Sequence, residues 1–249
     1  MPIGIKVYGD VNAVRITSST VQNIAATHPE CSTGCTPVAR GILISPASGQ
    51  TIATDVSVED SSIAHVAPKD DGDCLVIQDS TSPAHLTVKH NTFNYCSKRA
   101  IKIQVPGATI EVNTITNPFG PATPNPAYAS ALPEDMYAAV SDYAPNVMIG
   151  NNLIRGSGTF FNPVELGASC TLGIANATVQ DNVIDMGYLE PGTSLIRVMV
   201  PGADLKIQGN SGSTAQNGIT AATNELTNST IQDNTFTNVT TQFNNYTNC

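Results

Sequence analysis

A short pattern of apolar and polar positions, apolar-x-apolar-x-x-Asn-x-apolar, recurs along most of this chain of 249 residues. Alternating apolar positions predict a half-buried strand, and Asn tolerates the left-handed backbone that a tight bend needs. The polar position is occupied in turn by Ser19, Ser61, Asn91, Asn113, Asn152, Asn182, Asn210 and Asn234. Because the shortest spacing is 22 residues, which is about one turn of strands and bends, the repeat predicts a solenoid of about eight coils.

A second apolar run follows in most coils, as in Cys74–Ile77, Ala100–Ile103 and Leu195–Val198. We therefore predict two strands per coil, stacked from coil to coil into parallel sheets. Thr, Asn, Gly, Ser and Pro are abundant and long helix-forming stretches are nearly missing, which favours an all-β fold. The six Asn residues should then stack as an internal ladder of amides that stabilises the fold and takes no part in chemistry.

These repeats resemble the right-handed parallel β-helix proteins, the pectate-lyase-like superfamily, over roughly residues 12 to 240. The resemblance implies a solenoid fold and a family that includes polysaccharide lyases, glycosidases, epimerases and phage tailspikes. In character the chain is closest to the tailspike and virion-surface members. The sequence has no local block that joins a substrate-binding Arg motif to clustered calcium-binding aspartates, and no Asp-Pro-His motif of the alginate epimerase type. No catalytic residue is therefore carried over from the family.

The whole chain, 1–249, is predicted to form a single β-helix domain. Longer spacings indicate loop insertions at 25–40 and 117–146, and residues 237–249 are expected to cap the C-terminal end. The second insertion is rich in proline and carries the candidate binding residues Tyr128, Tyr137 and Tyr143 in a protein that has no Trp. These rings could either pack against the coils or present an aromatic binding surface.

Charge and hydropathy narrow the classes of partner. The net charge is −9, with 11 basic and 20 acidic residues, which argues against binding to nucleic acid or to anionic lipid. No apolar run approaches the roughly 18 residues of a membrane span, and the N-terminus lacks the basic and apolar regions of a signal peptide. We expect no cofactor, no membrane insertion, and a location on a virion or an extracellular surface.

The six cysteines are scattered, and only Cys31 and Cys35 lie close together in sequence. A disulfide, two buried thiols or, with His28, a zinc site are the alternatives for this pair, and the other four are expected to be free thiols. The acidic loop at 69–73 suits a solvated turn better than a calcium site. We therefore predict no metal site.

Aligning the second strands places Lys102, Glu165 and Arg197 at equivalent outward positions, with one unassigned coil between Lys102 and Glu165. Glu165 and Arg197 should lie one coil, about 4.8 Å, apart. Such a pair could bind a uronate or remove the proton at its C5 atom, as in β-elimination, and these three residues are the candidate catalytic set. The alternative is a simple ion pair across the strands.

Two weaker constellations lie at the bends. Asp60 and His90 fall on neighbouring coils and could form an acid/base pair, although a role in stabilising the bends is favoured. Asp181 and Asp233 should be two coils apart, a separation that suits glycoside hydrolysis.

The absence of a complete catalytic motif favours a structural or receptor- or polysaccharide-binding component of a larger assembly. Such a component would be tailspike-like or virion-decoration-like, and would associate as a homotrimer or with other virion proteins, because solenoid ends expose strand edges. The alternative is a polysaccharide lyase or glycoside hydrolase that acts on an acidic polysaccharide.

Overall fold

The structure is a computed structural model that describes residues 1–25, 38–47, 54–67, 72–78, 85–119, 135–167, 173–187, 189 and 191–246. Within these residues the chain winds into a parallel β-helix, in which the strands of one coil pair in parallel with those of the next. Each full coil has three strands, which form three faces that we call A, B and C. The predicted all-β solenoid is thus confirmed, but the prediction of two strands per coil was wrong.

The strands are numbered in chain order. Face C consists of β1 (Ile3–Tyr8), β4 (Ala39–Ser45), β7 (Gly72–Ile77), β10 (Arg99–Ile103), β14 (Ala138–Asp142), β18 (Val164–Leu166), β22 (Ser194–Val198) and the second halves of β25 (Ser211–Thr220) and β28 (Thr235–Asn244). Face A consists of β2 (Arg15–Thr17), β5 (Ser57–Glu59), β8 (Leu86–Lys89), β11 (Ala108–Glu111), β15 (Met148–Gly150), β20 (Thr178–Gln180), β24 (Lys206–Gln208) and β27 (Thr230–Gln232). These eight face-A strands confirm the predicted number of coils.

In each coil, face B follows face A and precedes face C along the chain. It consists of β3 (Thr20–Ala25), β6 (Ser62–Ala67), β9 (Thr92–Cys96), β12 (Thr114–Asn117), β16 (Leu153–Gly156), β21 (Val183–Asp185) and the first halves of β25 and β28. Shorter pairings join β13 (Asp135–Met136) to β17 (Thr159–Phe160), and β23 (Gly202–Ala203) to β19 (Ile174–Ala175) and β26 (Leu226–Thr227). Among the described residues, a 3-10 turn spans Thr223–Glu225.

Face B was not predicted from the sequence, because the bend between faces A and B contains a single left-handed residue. That residue is the one before the repeated polar position, and not the Asn itself, as the pattern had suggested. The left-handed residues are Ser18, Asp60, His90, Val112, Asn151, Asp181, Gly209 and Asp233, with φ between 48° and 65°. The last apolar residue of the repeat is therefore already the first inward residue of a face-B strand, as Phe93 and Ile115 show.

The ladder of amides is confirmed at every predicted position, and all its members except the partly exposed Asn234 are buried. Asn113 is typical: its Oδ1 accepts hydrogen bonds of 3.0 Å from both the backbone N–H and the Nδ2 of Asn91. Its Nδ2 donates to the carbonyl of Val88 on face A and to Oδ1 of Asn152 on the next coil, each at 3.0 Å. Ser61 extends the ladder toward Ser19, whose backbone N–H donates to Ser61 Oγ at 3.1 Å. The ladder thus satisfies the backbone at each bend without water.

Apolar side chains stack along the axis inside the coils. One column on face C runs through Ile5, Ile42, Leu75, Ile101, Val140, Val164, Ile196, Ile219 and Phe243. Its central members are fully buried. This stack forms a continuous core and fixes the register of the outward positions of face C, which carry the candidate site.

The inserted segments are shorter than predicted. Strands β13 and β14 lie inside the range 117–146, and β4 starts at residue 39, before the predicted end of the insertion at 25–40. Strand β28 carries the coils to residue 244, within the segment predicted as a cap. Tyr128, Cys31, Cys35 and His28 lie outside the described residues.

The expectation of scattered free thiols was wrong for Cys74 and Cys96, which form a disulfide. Both residues are fully buried, and they are 22 positions apart in the sequence. Because one coil spans about that length, residues of successive coils become neighbours in space. Sequence distance was therefore the wrong measure of proximity in this fold.

Candidate binding cleft on face C

The outward positions at the centre of face C form one polar column. The register aligns Lys102 with Ser141, Ser141 with Glu165, Glu165 with Arg197 and Arg197 with Thr220, on successive coils. The structure therefore places Glu165 and Arg197 one coil apart, and Ser141 occupies the coil that the sequence left unassigned. Lys102 lies two coils, about 10 Å, from Glu165, so these three residues do not converge on one point.

Glu165 is fully buried and is held by three donors. Its Oε1 accepts hydrogen bonds from Tyr137 Oη at 3.0 Å and Asn162 Nδ2 at 3.3 Å, and its Oε2 accepts one from Ser141 Oγ at 2.9 Å. Burial raises the pKa of Glu165 above its ordinary value, while the Ser141 and Tyr137 hydrogen bonds and the nearby arginines oppose that rise. A carboxyl in this setting interacts with its protein neighbours and does not reach solvent.

Arg197 lies next to Glu165 but does not form the predicted ion pair with it. Within the described part of the chain, no contact of 4.0 Å or less joins the two charged groups; instead Arg197 Nη1 donates to Asn162 Oδ1 at 3.4 Å. The guanidinium carbon lies 5.9 Å from the centre of the Phe161 ring. Arg197 is only 6% exposed, and its Nε is buried without a hydrogen-bond partner in the described structure. A buried donor without a partner costs free energy.

A cleft of about 290 Å³ opens beside Arg197 on the last coils of face C. It is lined by Phe161, Gly192, Ser194, Arg197, Gln216, Asn217, Thr220, Asn244 and Tyr246. Two aromatic rings thus border a set of hydroxyl, amide and guanidinium groups. Rings with converging hydrogen-bonding groups are the usual features of a small polar ligand site.

Tyr137 and Tyr143 pack against face C. The Tyr137 ring stacks on Phe161 with 6.1 Å between centres and lies 4.9 Å from the guanidinium carbon of Arg99. Tyr143 Oη accepts a hydrogen bond from Arg99 Nη2 at 3.4 Å, and Lys102 Nζ lies 5.4 Å from the centre of the Tyr143 ring. Burial and the neighbouring Glu165 carboxyl raise the pKa of the Tyr137 hydroxyl well above its ordinary range. Tyr137 therefore packs behind the cleft through Phe161, Tyr143 contacts Arg99 and Lys102 outside it, and Phe161 and Tyr246 line it.

Basic residues are concentrated on face C. Five of the 11 Lys and Arg residues of the protein lie on its strands, namely Lys6, Arg40, Arg99, Lys102 and Arg197. Asp73 accepts contacts from Arg40 at 3.2 Å and Arg99 at 3.4 Å. The same strands carry Asp73, Asp142 and Glu165, and Arg40, Arg99 and Arg197 are nearly buried, so face C has only a small excess of basic over acidic residues.

The weaker constellations stay at the bends. His90 Nδ1 and Asp60 Oδ1 are 3.6 Å apart, both about half exposed, beside a shallow groove of about 420 Å³ lined by serines and threonines. Asp181 and Asp233 are two coils apart with Gly209 between them, but the Asp181 carboxylate fills the space over Gly209.

Across the described ranges, no three His, Cys, Asp or Glu side chains are grouped as metal ligands. None of the described helical segments is long and apolar enough to cross a membrane.

Comparison with known proteins identifies the fold family. A family model described as "Right handed beta helix region" matches residues 40–249. Two solved structures of PfbA, a surface adhesin of Streptococcus pneumoniae, are similar to 96% and 97% of the chain, with TM-scores of 0.67 and 0.62 and 16% and 13% identity. The chain spans 60% and 66% of the length of those two structures. No curated protein sequence matches it. At such identities the structural likeness shows the fold alone.

Proposed function

Since the chain belongs to the right-handed beta helix family, we propose that it is a surface-displayed binding protein that recognises a glycan in the cleft on face C. The observation that carries this proposal is the pairing of two aromatic rings, Phe161 and Tyr246, with hydroxyl, amide and guanidinium groups around one cleft. Sugar rings stack on aromatic faces, and their hydroxyls require hydrogen-bonding partners of this kind.

The charge distribution supports an acidic glycan as the ligand class. Arg197 lines the cleft and places a positively charged guanidinium at its wall. A carboxylate, as in a uronic acid, is the natural partner of a guanidinium because it accepts strong charge-assisted hydrogen bonds. The cleft of about 290 Å³ has room for about one or two sugar units, so a longer polysaccharide would extend beyond it.

Binding is favoured over catalysis by the position of Glu165. A general acid or base must come within hydrogen-bond reach of the reacting proton, but Glu165 is fully enclosed and is not among the residues that line the cleft. The predicted lyase or hydrolase activity is therefore the second outcome of the test below and not the main proposal.

Display at a surface is supported by two observations. The similar solved structures are those of a surface adhesin, and the buried Cys74–Cys96 disulfide is typical of proteins that fold in an oxidising environment. The assembly part of the sequence-based prediction, a homotrimer or a partnership with virion proteins of the tailspike or decoration type, stays a prediction. Light scattering on the purified protein tests it directly.

The proposal is tested by calorimetric titration of the purified protein with oligogalacturonate, oligoalginate and a neutral xylo-oligosaccharide. We expect binding to at least one acidic ligand, weakened about tenfold or more in Arg197→Ala, because a charge-assisted hydrogen bond contributes about 1.5–3 kcal/mol. Arg197→Lys retains the charge if the alanine variant folds poorly. Lys206→Ala, which removes one positive charge from face A, is the matched control and should bind like the wild type.

Three results would count against the proposal. The first is the absence of binding to all three ligands. The second is an equal loss of affinity in Lys206→Ala and Arg197→Ala, which would indicate a general charge effect with no defined site. The third is the release of unsaturated or reducing sugar ends, which would establish the enzyme in place of the binding protein.

A further inference from the structure

The amide of Asn162 connects the two charged groups behind the cleft. Its Nδ2 donates to Glu165 Oε1 at 3.3 Å, and its Oδ1 accepts from Arg197 Nη1 at 3.4 Å. Glu165 and Arg197 are register neighbours on β18 and β22, and both are nearly or fully buried. Charges on neighbouring coils of a poorly solvated site act on each other even without direct contact, and the positive charge of Arg197 favours the ionised form of Glu165.

The two residues differ in what they reach. Arg197 lines the cleft, whereas Glu165 lies behind it and has all its described hydrogen bonds with protein groups. Glu165 is therefore placed to act on a ligand only through Arg197. This makes Glu165 a positioning residue in the proposed function, and Asn162 the group through which it holds the guanidinium.

We infer that the protonation of Glu165 regulates the cleft: a neutral Glu165 leaves the positive charge of Arg197 available to an anionic ligand, and an ionised Glu165 offsets it. This inference rests on the proposed function, and it predicts tighter binding of acidic glycans in mild acid than in mild base. The geometric basis is the buried chain of contacts from Glu165 through Asn162 to Arg197, which ends at the wall of the cleft.

The direction of the effect follows from every described group that faces Glu165. Tyr137, which precedes β14, and Ser141 on β14 donate hydrogen bonds to it, and Arg99 on β10 and Arg197 on β22 act on it as positive charges. The arginines stay charged throughout the working pH range, and Tyr137 stays neutral because its pKa is raised. Burial raises the pKa of Glu165 above its ordinary value, so Glu165 is the group in this set whose protonation state the pH comparison addresses.

The first experiment measures the affinity of the whole protein for oligogalacturonate and for a neutral xylo-oligosaccharide at about pH 5.5 and about pH 8.5, at both of which the ligand's own carboxylates are ionised. We expect the wild type to bind the acidic ligand about tenfold more weakly at the higher pH. Glu165→Gln should bind tightly at both values, because Gln is uncharged and has nearly the same shape. Glu111→Gln on face A is the matched control and should keep the wild-type pH dependence.

The second experiment needs no ligand. The side-chain carboxyl carbon of Glu165 is followed by NMR during a pH titration of the wild type and of Arg197→Gln. Removing the neighbouring positive charge should raise the pKa of Glu165 further. Thermal melts of each variant establish that it is folded.

The inference is overturned if Glu165→Gln has the pH slope of the wild type, or if the titration of Glu165 is the same with and without Arg197. A neutral ligand that shows the same pH dependence as the acidic one would also overturn it. If the titration shifts as expected but no variant binds any glycan, the coupling is established while the proposed function fails, and regulation of a ligand site fails with it.

Discussion

Asp142 is a carboxylic acid in a column of aliphatic side chains, and this placement gives a quantitative prediction. Along face C it stands in register between Ile103 and Leu166, with Ile77 and Val198 one coil further on each side. It is fully buried. Its Oδ1 accepts a hydrogen bond of 3.0 Å from the backbone N–H of Ala144, whereas its Oδ2 is buried without a hydrogen-bond partner in the described structure.

Burial raises the pKa of Asp142 from 3.8 to about 8, although backbone N–H groups of Ala144 and Tyr143 oppose the rise. Between about pH 4 and about pH 8 the unfolded chain therefore loses a proton at this residue that the folded protein keeps. Because the folded state binds more protons, the free energy of unfolding decreases as the pH rises through this window and levels off above it. A shift of about 4 units at about 1.4 kcal/mol each gives an upper bound of about 6 kcal/mol.

Asp142→Asn isolates this contribution, because the amide is neutral at every pH and its Oδ1 retains the Ala144 contact. Urea unfolding of both proteins should give similar free energies at about pH 4 and a large advantage of the variant at about pH 8, up to about 6 kcal/mol. All other titrating groups cancel in the difference between the two proteins. A difference that is constant across the pH range would refute the reasoning, because it would show that Asp142 has the same proton affinity in both states.

Three further predictions concern stability. Asn182→Leu removes the acceptor of the buried Asn152 N–H and one donor to the Ile149 carbonyl, so chemical denaturation should show a loss of about 1–3 kcal/mol; an unchanged midpoint would contradict the ladder. Replacing Cys74 and Cys96 by Ala opens a loop of 22 residues and should lower the free energy of unfolding by about 3 kcal/mol, whereas an equal value in wild type and variant would show that the disulfide adds no stability. Val112→Asn should stabilise the protein by about 1 kcal/mol in the same assay, because a β-branched residue is strained at φ 55°; the reciprocal Asn151→Val should destabilise it.

The coil positions were predictable because the ladder residue must satisfy several constraints at once. A buried amide that bonds to the coil before, to the coil after and to face A can scarcely be replaced, so Asn recurs at the same place in the pattern. Aligning the second apolar runs also placed Lys102, Glu165 and Arg197 in one outward column, as the register shows. The missing coil was that of Ser141, because β14 follows a proline-rich segment and its strand has no preceding repeat close to it.

The cleft itself could not be predicted in the same way. Phe161 and Asn162 lie in the bend before β18, and Tyr246 follows the last strand, so none of them belongs to a periodic position. Their proximity depends on the paths of chain segments between strands, which the repeat does not specify. The disulfide was missed for a related reason, since coil stacking and not sequence distance brings Cys74 to Cys96.

The outward column on face C also indicates that its charged residues do not serve to stabilise the fold. In earlier coils the same column is occupied by Leu43 and Val76, which are 3% and 1% exposed, so aliphatic side chains fill this position well. Burying Glu165 and Arg197 instead costs desolvation free energy that a pair without direct contact only partly recovers. A sequence usually departs from the cheaper solution at functional sites. The change from Leu43 and Val76 to Glu165 and Arg197 along one column therefore supports the proposal that these coils of face C bind a ligand.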